Sequence, residues 1–343
     1  MRIIKSDNFD KFVCSAGTCP TSCCSGGWQI MIDDNAIDKY TKDTGDSELN
    51  KRLAEGVDLV EQCFTQCGNN CFMLDDDGLC SIQRALGEEA LCDTCRIYPR
   101  HVEEFRGIRE WSLSLSCPEA ARLILGNKDR LDFIVEDTDE PENDAEYEDF
   151  DDELYILLFN ARDRIFDIIQ SRELSFKDKA ELITAYTAGI QECIDNEHLD
   201  ILQAFIEDMH EIDEITEIDY NALNKDMFSI LFDLELLSPE WKGILENTWK
   251  AWDDDIKLTA KEEIQAEQLL MFWTYTYFCG AVYDGWVFSK AKLAICSTWW
   301  IFEINKANDF NGGIIEAAYR FAREIEHSDE NLNALEDYFM MRG

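Results

Sequence analysis

CFTQCGNNCFMLDDDGLCSIQRALGEEALCDTCRIYPR, residues 63–100, places six cysteines within 33 positions: Cys63, Cys67, Cys71, Cys80, Cys92 and Cys95. Between them lie turn-rich stretches such as GNN and DDDG, and apolar runs too short to bury a large core. A unit of this kind gains stability when soft thiolates converge on a metal ion, because metal binding and folding are then one equilibrium. Towards the N-terminus, CSAGTCPTSCC adds Cys14, Cys19, Cys23 and Cys24, and towards the C-terminus SLSCPE adds Cys117. Eleven of the 14 cysteines precede residue 118, while Cys193, Cys279 and Cys296 stand alone. The opening MRIIKSDNFDKFVCSAG lacks the apolar stretch of a secretory signal. The reading is therefore a cytoplasmic protein, whose clustered cysteines are metal ligands or redox groups rather than disulfides. A buried apolar thiol explains one such cysteine well and eleven poorly. Cys92-x-x-Cys95 is a spacing shared by zinc ribbons and iron–sulfur sites, so it argues for metal without choosing the metal.

The rest of the chain reads differently. Residues 136–153, EDTDEPENDAEYEDFDDE, hold twelve acidic side chains and no basic one, which marks a solvated linker or insertion. It divides a cysteine-rich, loop-rich metal-binding domain at 1–135 from a helical domain at 154–343. The fold class expected is mainly α. In the first domain, short helices are expected at Asp33–Tyr40, Ser47–Val60 and Ser81–Leu86, the last stopping at a left-handed Gly87. Alternation in Trp28–Ile32 and Trp111–Leu115 suggests short strands. From Leu154 on, apolar residues recur at helical spacing, as in Leu182, Tyr186, Ile190 and Ile194. Further helices are expected at 199–212, 222–237, 240–251, 260–283, 287–306 and 312–326, so the second domain reads as all-helical. With 46% hydrophobic residues and only 5 prolines, the chain has ample material for such a core.

Net charge is −41, of which residues 1–130 carry −7 and the remainder −34. Such a surface repels nucleic acid and anionic lipid and favours a basic partner, although acid also serves solubility alone. No membrane span is expected: the most apolar stretch, Met271–Phe302, is interrupted by Asp284, Lys290 and Lys292. The same stretch gathers Phe272, Trp273, Tyr275, Tyr277, Phe278, Tyr283, Trp286, Phe288, Trp299 and Trp300. These form either a cage for a cation or the core of the helical domain. Arg96, Arg100, Arg106 and Arg109, with His101, make a basic island after Cys95. Arg96 and Arg100 are candidates to clamp a cofactor carboxylate, the alternative being local pairing with Glu103, Glu104 and Glu110. His198, His210 and His327 are scattered. The CxxxCxxC spacing of radical chemistry fails twice, since Gly26 follows Cys19 and Cys23, and Asn70 follows Cys63 and Cys67. No glycine fingerprint of a doubly wound nucleotide-binding fold is present.

Three stretches together, FVCSAGTCPTSCCSGGWQI (12–30), CFMLDDDGLCSIQRALGEEALCDTCRIYPR (71–100) and WSLSLSCPEAARLIL (111–125), resemble the flagellin lysine-N-methylase family. The likeness is dense from Phe12 to Leu125; beyond it only helical character agrees. The pattern is also similar to a broader class of zinc- or iron-chelating domains. Cys14, Cys19, Cys23, Cys24, Cys71, Cys80, Cys95 and Cys117 match it, whereas Cys63, Cys67 and Cys92 fall outside. The resemblance implies that some of the matching cysteines hold an iron–sulfur cluster of the 4Fe-4S kind, with zinc as the alternative. It also implies methylation of flagellin lysines with S-adenosylmethionine as donor. Two other functions are compatible with the residues alone: a non-catalytic metal-stabilised module for a basic partner, and a redox or metal-handling protein.

Overall fold

The computed structural model describes residues 1–140, 147–207, 223, 225–253 and 257–341, and its secondary structure is mainly helical. The chain forms two compact units that interleave along the sequence. One comprises Phe12–His101 and Leu113–Ala121; the other comprises Met1–Lys11, Val102–Ser112 and Arg122–Gly343. The units thus do not part at the acidic stretch 136–153, as the sequence reading had it.

The larger unit is built around the helix Val287–Ala307. Almost every side chain of this helix from Val287 to Ile304 is buried. A helix that is apolar on all sides belongs at the centre of a bundle. It packs against Phe176–Asp195, Trp241–Ala251, Ala260–Tyr277, Ile314–Glu326 and Asp329–Met340. Trp299 stacks on Phe176 with centroids 5.6 Å apart, and Trp300 meets Phe321 and Phe339 at 6.3 and 6.0 Å. Starts are set by local chemistry: Ser175 with Asp178, and Thr259 with Glu262, form reciprocal capping boxes.

The described residues of 154–343 carry no strand, as expected, but this unit also takes in strands from earlier in the chain. It carries a sheet in the order Arg100–Phe105, Ile108–Leu113, Arg2–Ser6, Phe133–Asp137. Arg2–Ser6 runs parallel to Ile108–Leu113 and antiparallel to Phe133–Asp137. The Tyr275 hydroxyl donates to the Ile4 carbonyl at 2.8 Å, and Phe133 packs on the rings of Phe166 and Tyr275. Part of the acidic stretch is structured as well. Glu136 and Asp137 lie in a strand and pair with Lys5 and Arg2, at 3.2 and 3.1 Å. Asp151 caps the helix Asp152–Ile169. Residues 141–146 lie outside the described residues.

Other expectations are adjusted in detail. The expected helix at 199–212 is seen as Leu199–Glu207, and residues 208–212 lie outside the described residues, as does His210. Among the described residues of 222–237, Lys225–Phe228 and the tighter turn Ser229–Phe232 are helical, and residues 222 and 224 lie outside the described residues. The expected 260–283 helix ends at Tyr277 and passes through a tight turn into Ala281–Asp284. Asp329–Met340, capped by Ser328, was not anticipated. Among the described residues, no helix is long and apolar enough to cross a membrane.

Candidate metal centre

In the cysteine-rich unit, Asp34–Tyr40 and Ser47–Gly56 form as helices because Asp33 and Asp46 accept backbone hydrogen bonds at their first turns. Leu49 and Leu53 enter a small core with Ile30, Ile32, Tyr40, Phe64, Met73 and Ile82. Cys71 and Cys92 belong to that core, and Cys24, Cys80 and Cys95 pack against it. Thiols therefore make up much of the centre of this unit.

Each cysteine is delivered by a short, locally determined element. Cys71 ends a hairpin in which Gln66–Cys67 pairs with Asn70–Cys71 across a two-residue turn opened by Gly68, at φ 64. The loop from Cys71 to Cys80 folds back on itself through a bridge between Leu74 and Cys80. Arg52 clamps it, donating to the Phe72 carbonyl at 2.8 and 2.6 Å and the Leu74 carbonyl at 2.7 Å while pairing with Asp75. Cys80 and Cys92 are the cap residues of the helices Ser81–Leu86 and Asp93–Ile97, so backbone N–H groups face their sulfurs. The first of these helices has the expected bounds, and Gly87 beyond it takes the positive φ that glycine allows, 88, but with ψ 174 it is not left-handed helical. Cys23 and Cys24 lie on a single tight turn capped by the Ser22 hydroxyl, which accepts from the Cys24 N–H at 3.1 Å. Gly26 follows, and a Cβ there would stand 1.8 Å from the Trp28 ring, so the indole closes this turn only over glycine. Ser114 N–H donates to the Pro99 carbonyl at 2.7 Å and Tyr98 bonds Ser116 at 3.1 Å, which ties the Cys117 segment to the chain just after Cys95.

The electrostatics show which sulfurs are neighbours. Cys23 donates its thiol hydrogen to Cys24, which lowers Cys24 to about 7 and raises Cys23. Cys95 donates to Cys92 in the same way, so Cys92 is lowered and Cys95 raised. The two pairs feel each other, since charge on Cys24 and Cys23 also raises Cys95. Burial, and then the charges of Cys24, Cys80 and Cys92, push Cys71 up to about 12. Cys80 is raised by burial and by Cys24. A second neighbourhood joins Cys117 to Cys19 and Cys14, and Cys23 feels both Cys14 and Cys117. All 14 cysteines are free thiols. Among the described residues, no three His, Cys, Asp or Glu side chains close into a metal-ligating group. The donor chemistry of paired, buried soft thiols fits a thiophilic metal; the spacing between pairs is that of neighbours rather than of ligands.

Eight of the eleven early cysteines match the family pattern and three fall outside it, yet one of those three, Cys92, lies beside Cys95. Cys92 is buried, bonds Cys95 and touches the core. Its signal was the Cys92-x-x-Cys95 spacing itself. Cys63 is held apart, accepting from Gln29 at 3.2 Å in the Cys63–Phe64 strand, and Cys67 is exposed at the hairpin. Arg96 pairs with Asp93 at 2.5 Å, and Arg100 lies over the Phe12 ring at 5.4 Å. Arg109 pairs with Glu104, one of the local partners weighed for this island, and also with Glu140; Arg106 pairs with the more distant Asp152, and Glu110 pairs with Arg162. Of the aromatic group, Phe272, Trp273, Tyr275, Phe278, Trp299 and Trp300 are core residues, while Tyr283 is exposed.

Comparison with known proteins bears on the whole chain. The family described as FliB lysine N-methylase C-terminal domain matches residues 162–343. That match falls on the helical part, where only general character had seemed to agree. The flagellar biosynthetic protein FliU of Salmonella muenchen is 32% identical over 128 residues, covering 35% of this chain and 75% of FliU. The lysine-N-methylase of Salmonella typhimurium is 32% identical over 129 residues, covering 35% of this chain and 32% of that protein. The lysine-N-methylase of Salmonella choleraesuis is 32% identical over 128 residues, covering 35% and 31%. The matched stretch spans about a third of the length of these two methylases. No solved structure matches the chain. Because the family match takes in more than half of its length, the chain belongs to the FliB lysine N-methylase family.

Proposed function

We propose that this protein is a lysine N-methyltransferase that uses S-adenosylmethionine to modify flagellin, and that its cysteine-rich unit holds a thiolate-ligated iron–sulfur cluster. Family membership carries the reaction class, and the flagellar name of FliU supports the substrate. The gathering of Cys23, Cys24, Cys71, Cys80, Cys92 and Cys95 around one small core carries the metal. The ligands are drawn from these six residues, four of which suffice for one cluster, with Cys14, Cys19 and Cys117 as a neighbouring set. A bound metal would supply positive charge that lets the paired thiols release their protons together.

For methyl transfer the lysine amine has to be neutral and aligned with the sulfonium methyl. The acid excess of the chain, 72 Asp+Glu against 31 Lys+Arg, draws in a basic segment of substrate. The all-thiol donor set also belongs to a reducing compartment, the cytoplasm.

The test has two steps. Protein purified without oxygen is assayed for iron and acid-labile sulfide, and is then incubated with donor and unmodified flagellin. Iron with matching sulfide, and methyllysine on flagellin by mass spectrometry, are expected. Zinc without sulfide would remove the cluster. Unmodified flagellin in the presence of metal-loaded protein would remove the methyltransferase.

A further inference from the structure

Away from the cysteines, in the helical unit, a cleft of about 440 Å³ opens beside the turn Ser229–Phe232 and the helix Trp241–Ala251. Its walls are Phe232 and Trp249, with Asp233, Glu246, Ser229 and Lys250 around them. The two rings meet edge to face, with centroids 6.0 Å apart and planes at 87°. Both are held by buried neighbours. Phe228, fully buried one turn before Phe232, packs on Trp252 and Trp300 at 5.3 and 5.9 Å. Trp241, Ile244, Leu245 and Thr248 anchor the other helix and leave Trp249 at its edge. The elements that carry both rings are therefore anchored in the buried core.

Its chemistry is specific. Two aromatic rings offer negative π faces and Asp233 adds a carboxylate at the rim, while Glu246 pairs with Lys250 at 4.0 Å; the ring faces with Asp233 favour a soft cation over an anion. A cation already uses one of these faces: the Lys225 ammonium lies 4.4 Å from the Trp249 ring centroid. The chain's own lysine thus shows what the Trp249 face accepts.

We propose that this cleft binds the side chain of a lysine, or of an N-methylated lysine, presented by a peptide, and that the incoming cation displaces Lys225 from Trp249. Methylation spreads the positive charge over a larger, less strongly hydrated surface, so the trimethylated form binds more tightly than the free amine. The link to lysine substrates rests on the function proposed above; the cleft itself rests on its geometry.

The full chain is titrated calorimetrically, without methyl donor, with a short uncharged peptide carrying one lysine, either free or trimethylated. One-to-one binding is expected, tighter for the trimethylated peptide. Trp249→Ala should weaken it by about tenfold. Asp233→Asn, an exposed change that leaves the aromatic packing intact, should weaken it by severalfold and make it less salt-dependent. Lys225→Met should tighten it, because the internal competitor is gone. No binding of either peptide, equal binding by Trp249→Ala and wild type, or binding of S-adenosylmethionine with neither peptide would overturn the assignment. Because the titration needs no turnover, flagellin methylation that persists without peptide binding removes the cleft alone and leaves the enzyme.

Discussion

Replacing Arg162 by methionine should destabilise the helical unit by about 3–5 kcal/mol, because it strands a buried carboxylate. Arg162 lies on Asp152–Ile169 and Glu110 on the strand Ile108–Leu113, and they are 1% and 3% exposed. One guanidinium nitrogen donates to Glu110 Oε2 at 2.6 Å and to the Tyr275 carbonyl at 3.2 Å; the other donates to Glu110 Oε1. The rings of Phe159, Tyr275 and Phe166 surround the cation at 5.0, 5.2 and 5.6 Å. With Arg162→Met, Glu110 keeps its desolvation and loses both charge-assisted bonds. The double variant Arg162→Met with Glu110→Leu removes both charges and fills the space with apolar atoms. It should recover most of the loss, since a buried pair exchanged for apolar groups is near neutral. Urea unfolding of the four corners of this cycle, followed by helical circular dichroism, gives the coupling directly. A single-variant loss below about 1 kcal/mol, or a double variant as unstable as the sum of its parts, would refute a buried pair that must be kept or removed as one.

Burial, and then Arg323, lower His327 to about 4, so this imidazole is neutral in the fold and takes up a proton on unfolding as pH falls below its ordinary value. Its contribution is intact at pH 7 and is lost between about pH 6.5 and 4, up to about 3 kcal/mol in all. The variant His327→Asn should flatten the fall in melting temperature over this window, and an unchanged slope would show that His327 does not titrate there. Ser175→Ala and Thr259→Ala each remove a capping box and should cost about 1 kcal/mol apiece in chemical denaturation, with the pair departing from additivity because the Phe176 N–H donates to Glu263 at 2.8 Å and joins the two helix starts. Cys92→Ala and Cys80→Ala should lose both bound metal and the protease resistance of residues 12–101, whereas Cys67→Ala, Cys279→Ala and Cys296→Ala should retain metal; full metal content in Cys92→Ala would count against its place among the ligands. Removal of metal by a chelator should raise hydrogen exchange across residues 12–101 while the helix Val287–Ala307 stays protected, and equal protection before and after would uncouple metal from fold.

Helices with strong local signals were legible in the sequence. Asp33 and Ser175 announce their helices through capping, and Ser81–Leu86 lies between a cysteine and a glycine. Pairings that join distant residues were not. Arg2–Ser6 adds to a strand more than a hundred residues away, and no periodicity within either segment names the other. Trp28–Ile32 has the alternation of a strand, yet only Met31 bridges to Cys63, because Gln62 takes a left-handed φ of 50 and interrupts the ladder. The aromatic run in Met271–Trp300 could be read either as a cage or as core, since composition does not show which faces are covered; its helices are buried on every side. The cleft that does pair rings with carboxylates takes Phe232 and Trp249 from two elements 17 positions apart, where no run of aromatics drew notice.

The two units solve the problem of stability in different ways. The helical unit has tryptophans, phenylalanines and paired charges enough to bury five helices around a sixth, and it needs nothing added. The cysteine-rich unit has only short helices and two-residue strands, and sulfur occupies places that aliphatic side chains would fill elsewhere. Paired thiols are a poor substitute on their own. Each pair shares a proton, with one sulfur held towards thiolate and the other held protonated, and the pairs raise each other. A cation at their centre would attract every sulfur and favour its thiolate form, outweighing the repulsion between them. The same sulfurs that oppose one another as anions would then hold the unit together through ligation, and its folding would be conditional on metal supply. A metal bound there would first decide whether the cysteine-rich unit exists as a folded body, and any part it took in chemistry would build on that.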